Sequence, residues 1–135
     1  MTDIDLISAS VKALKNSYSP YSGFKVGAAL LCASGKVFCG CNIENASYPA
    51  GICAERTAIF KAVSEGEHEF VKLALVGEKD GKISDFCYPC GICRQVISEF
   101  CNADFEILTY DGETIKRHTL GELLPLSFGR KNLCE

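Results

Sequence analysis

The chain has 135 residues, 47% hydrophobic and 23% charged, with 14 basic against 17 acidic residues and a net charge of −3. That is enough length and apolar content for a single domain over residues 1–135 with its own core, and too acidic and unpatterned for the basic stripe of a nucleic-acid groove. No apolar run nears the roughly 18 residues that span a bilayer, and the start, Met1-Thr2-Asp3-Ile4-Asp5, shows no basic region followed by an apolar leader.

Ile4, Ile7, Val11 and Leu14 recur at helical spacing, so the first expected element is an amphipathic helix. Thr2 and Asp5 form a capping box at its start. Tyr18 to Gly23 breaks the helix and makes a loop. Val26 to Cys32 reads as a buried strand, Ala33 to Lys36 as a turn, and Val37 to Asn42 as the antiparallel partner. Cys53 to Ser64 reads as a helix whose apolar face is Ala54, Ala58, Ile59, Ala62 and Val63, closed by Gly66. Phe70 to Val76 is rich in apolar residues and reads as a central strand. Lys79-Asp80-Gly81-Lys82 is a turn within a longer loop. Cys90 to Phe100 is a third helix, which Pro89 starts so that Cys90 falls in its first turn. Phe105 to Tyr110 and Thr114 to His118 are strands on either side of an Asp111-Gly112 turn. A helical turn, Leu120 to Leu124, stops at Pro125.

The order αββαβαββ predicts an α/β protein with a five-stranded mixed sheet between helices, a three-layer α/β/α arrangement. The β-α-β stretch from Val37 to Val76 is expected to be a right-handed parallel crossover. Two cysteine motifs then fall at helix starts beyond strand ends, where open α/β sheets tend to place their sites.

Those motifs are Cys53-Ala54-Glu55 and Pro89-Cys90-Gly91-Ile92-Cys93. Three thiolates from Cys53, Cys90 and Cys93 can hold one Zn²⁺ and leave a fourth position for water, the pattern of a hydrolytic rather than a structural site. Helix starts stabilise thiolates through the dipole and free N–H groups. Glu55, two residues from a ligand, is placed to move that water's protons. Three thiolates on Zn²⁺ carry a net −1, and Arg56 and Arg94 are candidates to reach the sulfurs and offset it. Cys87, three residues before Cys90, is the rival ligand. The chain has 9 cysteines, an odd number that with no leader points away from a disulfide framework and towards a reducing cytoplasm. Most of the other six, Cys32, Cys39, Cys41, Cys87, Cys101 and Cys134, read as small buried apolar residues. His68 and His118 have no motif around them and read as surface or edge positions.

The C-A-E and P-C-x-x-C pair resembles the signature of zinc-dependent nucleoside deaminases. With cysteine as the first ligand, it is similar to the small homotetrameric cytidine deaminases. The likeness extends to Tyr18-Ser19-Pro20-Tyr21-Ser22, Phe24 to Ala29, Asn42 to Tyr48, Cys90 to Gln95 and Leu123 to Gly129; the tail departs from the pattern at Arg130-Lys131. The resemblance implies a cytidine-deaminase-like fold and hydrolysis of cytidine and 2′-deoxycytidine to the uridine products and ammonia, in pyrimidine salvage. It implies one Zn²⁺ per subunit and a homotetramer with shared active sites. It implies that Asn42 and Glu44 hold the ribose and that Phe24 packs against the base. Ala54 and Glu55 would read the pyrimidine edge. Ala46 and Tyr48 would lie near a shared boundary, and Phe128 would reach the base from a neighbouring subunit. On the residues alone, Phe24 and Phe128 read as core and Asn42 and Glu44 as turn residues. The alternatives are a deaminase of another cytosine compound such as blasticidin S, a polynucleotide-editing deaminase and a non-enzymatic zinc module.

Overall fold

The computed structural model describes residues 1–134. The first helix, α1, covers Asp3–Ala13, and its start has the expected box: Asp5 N–H donates to Thr2 Oγ1 at 3.1 Å, and Thr2 N–H to the Asp5 carboxylate at 3.0 Å. Its buried positions are Leu6, Ile7 and Ser10, followed by Leu14, while Ile4 is 70% exposed. The buried stripe is thus rotated from the Ile4-Ile7-Val11 reading, because the helix sits down on the sheet at Ser10. There the backbone of β1 (Phe24–Cys32) comes so close that a Cβ on Gly27 would stand 2.1 Å from the Ser10 carbonyl oxygen.

The other strands are β2 (Val37–Cys41), β3 (Phe70–Lys79), β4 (Lys82–Ile83), β5 (Glu106–Tyr110) and β6 (Ile115–Thr119). The sheet runs β2-β1-β3-β5-β6, with β4 paired to β3 alone. β3 is central, as its apolar-rich sequence suggests, and lies parallel to β5 and antiparallel to β1. β2 and β3 also point the same way, but β1 stands between them. The sheet has six strands rather than five. The extra one arises at Asp80-Gly81, where φ values of 53° and 78° put both central residues of a two-residue hairpin in the left-handed region. Such a pair is the standard device for turning a hairpin.

Strand periodicity divides the core between two helix layers. Ala29, Ala74 and Leu108 face α1 and pack with Leu6 and Ile7. Their neighbours Ala28, Leu30, Leu73, Leu75 and Ile107 face the opposite side, towards α2 (Ala54–Ser64) and α3 (Gly91–Phe100). α2 seats Ala54, Ala58, Ile59 and Ala62 against this face and ends at Gly66, where φ is 93°. It crosses β2 at Gly40, where an added Cβ would lie 2.5 Å from the Ala54 carbonyl oxygen and 2.6 Å from the Ala58 nitrogen. Two short helices complete the chain, α4 (Leu120–Leu123) and α5 (Arg130–Leu133).

Candidate active site

Cys53 and Cys90 are the N-caps of α2 and α3, both with extended backbone, so the helices begin one residue later than their sequence suggests. Pro89 therefore precedes the cap rather than opening the helix. In this position each sulfur stands at the positive end of its helix, beside free N–H groups. Cys93, fully buried, follows in the first turn of α3. The Thr57 hydroxyl donates to the Cys41 and Cys53 carbonyls, each at 3.1 Å, and so ties the α2 start to β2.

The sulfurs of Cys53, Cys90 and Cys93 all lie within 4.8 Å of one another. Ligands roughly 2.3 Å from a tetrahedral Zn²⁺ stand roughly 3.8 Å apart, and Cys53 Sγ to Cys90 Sγ measures 3.8 Å. The donor set therefore fits zinc in spacing and softness. Hydrogen bonding from Cys93, with further donation from Arg56 and Cys90, holds the Cys53 thiol down to about 5 against the effect of burial. The same Cys93–Cys53 bond, read from the donor's side, pushes Cys93 strongly up. Zinc binding would require all three thiols to be deprotonated. Cys87 does not join the group. Burial, followed by the charges of Glu55 and Cys53, pushes its thiol up to about 12, and it packs against the core instead.

Arg56 reaches the cluster as expected, with Nη2 donating to Cys53 Sγ at 3.5 Å. Arg94 does not. Its Nε donates to the Pro89 carbonyl and its Nη1 to the Leu123 carbonyl, each at 2.7 Å, fastening the ligand loop to α4. Glu55 is 3% exposed, and burial, ahead of the Cys53 charge, pushes its carboxyl up to about 7. A carboxyl poised there can both accept and return a proton near neutral pH.

Cys53, Glu55, Arg56 and Cys90 line a cavity of about 560 Å³, a size suited to a small organic ligand. Asn42, Glu44, Tyr48, Ala54 and Glu55 line it, together with Tyr21 and Tyr88. Asn42 Oδ1 accepts from Val26 N–H at 2.9 Å and from the Ser17 hydroxyl, and Nδ2 donates to the Phe24 carbonyl at 2.8 Å. Glu44 Oε1 accepts from Tyr21 and Ser22 N–H at 2.9 and 3.1 Å, and Oε2 from the Ser22 hydroxyl. The Ser22 bonds lead the causes that hold its carboxyl below the usual range. Both residues brace the loop that walls the cavity. Three expected residues stand outside this lining in the single chain. Phe24 packs over Gly77, Ala46 is exposed beyond Asn45, and Phe128 is 61% exposed.

Most of the remaining cysteines are not the fully buried apolar residues expected of them. Cys32 is buried, Cys41, Cys87 and Cys101 are half-buried, and Cys39 and Cys134 are exposed. Sequence reasoning also missed Tyr88 and its neighbour His118. The one signal for Tyr88 was its place directly before Pro89-Cys90.

Residues 1–109 match the family model for the cytidine and deoxycytidylate deaminase zinc-binding region. A cytidine deaminase of Sporosarcina psychrophila is 49% identical over 129 residues, 95% of this chain and 92% of that protein. One from Halalkalibacterium halodurans is 45% identical over 130 residues, 95% of each. The crystal structure of cytidine deaminase from Burkholderia pseudomallei superposes with a TM-score of 0.85 at 45% identity, covering 95% of this chain and 100% of that one.

Proposed function

This chain belongs to the cytidine and deoxycytidylate deaminase zinc-binding family, and on that premise we propose that it hydrolyses cytidine and 2′-deoxycytidine to uridine and 2′-deoxyuridine, releasing ammonia. The carrying observation is the gathering of three sulfurs within 4.8 Å of one another, two of which, with the buried Glu55, line a cavity of about 560 Å³. Cys53, Cys90 and Cys93 hold the Zn²⁺, which supplies Lewis-acid activation of a water. Arg56 donates to Cys53 and offsets part of the thiolate charge.

Glu55 carries the protons. Its carboxylate takes one from the attacking water and delivers it to ring N3. A C4–O bond forms as C4 becomes tetrahedral. Glu55 then takes the remaining proton from the new C4 hydroxyl and passes it to the exocyclic nitrogen; the C4–N bond breaks as the C4=O bond forms, and ammonia leaves. Burial suits Glu55 to both transfers, since its carboxyl gives up and regains a proton at little cost near pH 7. The N–H groups at the α2 start, with Ala54 first, present donors to the pyrimidine edge.

Asn42 and Glu44 hold the ribose on this reading. Asn42 Oδ1 already accepts two hydrogen bonds, while Nδ2, with two hydrogens, donates one to Phe24, leaving the other for a sugar oxygen. The protein works as a single domain in a homotetramer, with one metal per subunit. Exposed Tyr48, Leu126 and Phe128 support such an assembly, in which Phe128 reaches the base of a neighbour, Ala46 and Tyr48 line the boundary, and Phe24 closes on the base. Nine thiols without a disulfide suit a cytoplasmic enzyme of pyrimidine salvage. Product analysis tests the reading: incubation with cytidine should yield uridine and ammonia in equal amounts, and uridine without ammonia, or neither, would refute it.

A further inference from the structure

The segment leading to the second motif is held against β6 by two aromatic contacts. Lys116 Nζ lies 4.2 Å from the centroid of the Phe86 ring. Two residues on along both segments, the His118 and Tyr88 rings meet edge-on, with centroids 5.3 Å apart and planes at 74°. Lys116 and His118 are two apart in a strand and so share a face. It is the α2/α3 face, because His118 pairs in register with Ile107, a residue of that core.

Tyr88 is therefore braced from behind, although 39% exposed. It lines the cavity with Cys53, Glu55, Cys87 and Cys90, and it lies two residues before the ligand Cys90. The imidazole of His118 is set by packing: its Nε2 is buried with no hydrogen-bond partner among the described residues.

Resting on the cytidine-deaminase reading, we propose that Tyr88 is a specificity-determining residue that walls the reacting end of the cavity and limits substituents on C5 and N4 of the base, and that His118 is the positioning residue behind it. C4 must lie by the metal site to react, so its neighbours C5 and N4 fall at the same end. A rigid ring discriminates there by size. One methylene in a snug apolar pocket is worth about 10–200-fold in kcat/KM.

The test compares kcat/KM for cytidine, 5-methylcytidine and N4-methylcytidine, with zinc content measured for each protein. Calorimetric Kd values for uridine and 5-methyluridine give a readout that needs no turnover. Tyr88→Ala should raise the relative kcat/KM for at least one substituted nucleoside tenfold or more and relax the Kd ratio in step. Tyr88→Phe should hold both ratios within twofold of wild type, since the ring and not the hydroxyl is the wall. His118→Ala should shift the ratios in the same direction, through KM rather than kcat, and His118→Phe should restore them. If Tyr88→Ala loses its metal, Tyr88→Leu carries the same comparison. Unchanged ratios in a zinc-replete variant overturn the inference while leaving the activity standing. A wild-type protein that neither turns over nor binds any of these nucleosides overturns the reading of the site and this inference with it.

Discussion

The contact of α2 with β2 gives a sharp test of how the fold sets the catalytic geometry. Gly40→Ala would place a Cβ 2.5 Å from the Ala54 carbonyl oxygen and 2.6 Å from the Ala58 nitrogen, whereas real Cβ contacts essentially never fall below 3.0 Å. Both obstacles are helix backbone, so no side chain can turn aside. The start of α2 must therefore move at least about 0.5 Å, the difference between 2.5 and 3.0 Å. Cys53 and Glu55 ride on that turn. Overpacking of this kind costs about 1–3 kcal/mol, so the thermal midpoint should fall by several degrees. Misplacing reacting groups by about 1 Å costs about 10²-fold, so half that displacement should lower kcat/KM for cytidine about tenfold. The assay is a thermal scan beside initial rates at fixed zinc content. A midpoint and kcat/KM indistinguishable from wild type would show that α2 has slack against β2, and the reasoning would fail.

Three other outcomes are expected. Glu55→Gln should keep the fold and the zinc, as read by circular dichroism and metal analysis, yet lose about 10²–10⁴-fold in kcat; near-normal turnover would remove Glu55 from the proton path. Arg56→Gln removes the donor at 3.5 Å from Cys53 and should weaken zinc retention against a competing chelator and lower the rate, whereas unchanged values for both would deny it the charge-offsetting role. Asp3 ties α1 to the sheet through Lys72 at 2.9 Å and Arg117 at 2.6 Å, and Asp3→Asn should cost up to about 1 kcal/mol at pH 7. Lys72 leads the contacts that hold the Asp3 carboxyl below its usual range. Its stabilisation is thus present above the unfolded pKa and lost as pH falls through the folded one. The gap between wild type and variant in urea titrations should close in acid, and a gap constant from pH 7 to pH 2 would contradict this.

The metal site was legible because its chemistry is local in sequence. Cys53-Ala54-Glu55 and Pro89-Cys90-Gly91-Ile92-Cys93 each lie within one helix start, and the fold needs only to bring two such starts together. The layering was legible too, since the element order αββαβαββ implies a sheet between helices, while strands as apolar as β1 and β3 do not show which residue faces which helix. Ile4 misled because helical spacing names a stripe without fixing its rotation; the approach of β1 at Gly27 decides that, and Gly27 is distant in sequence. β4 was missed although Asp80-Gly81 is a strong hairpin signal, because two residues on each side gave no alternation to read. Arg94 was drawn towards the sulfurs by adjacency, while helix geometry turns it to the Pro89 and Leu123 carbonyls. Tyr88 and His118 lie 30 residues apart and meet only through the β5–β6 hairpin, so neither marks the other in the sequence.

On this reading, one metal on Cys53, Cys90 and Cys93 makes the cavity a cytidine-hydrolysing site. The most direct measurement follows the ultraviolet absorbance of cytidine with the purified protein as isolated, after removal of zinc by a chelator, and after zinc is returned. Conversion should stop on chelation and recover as zinc approaches one ion per chain. Conversion that persists at zero bound metal, or no conversion at full occupancy, would contradict the reading.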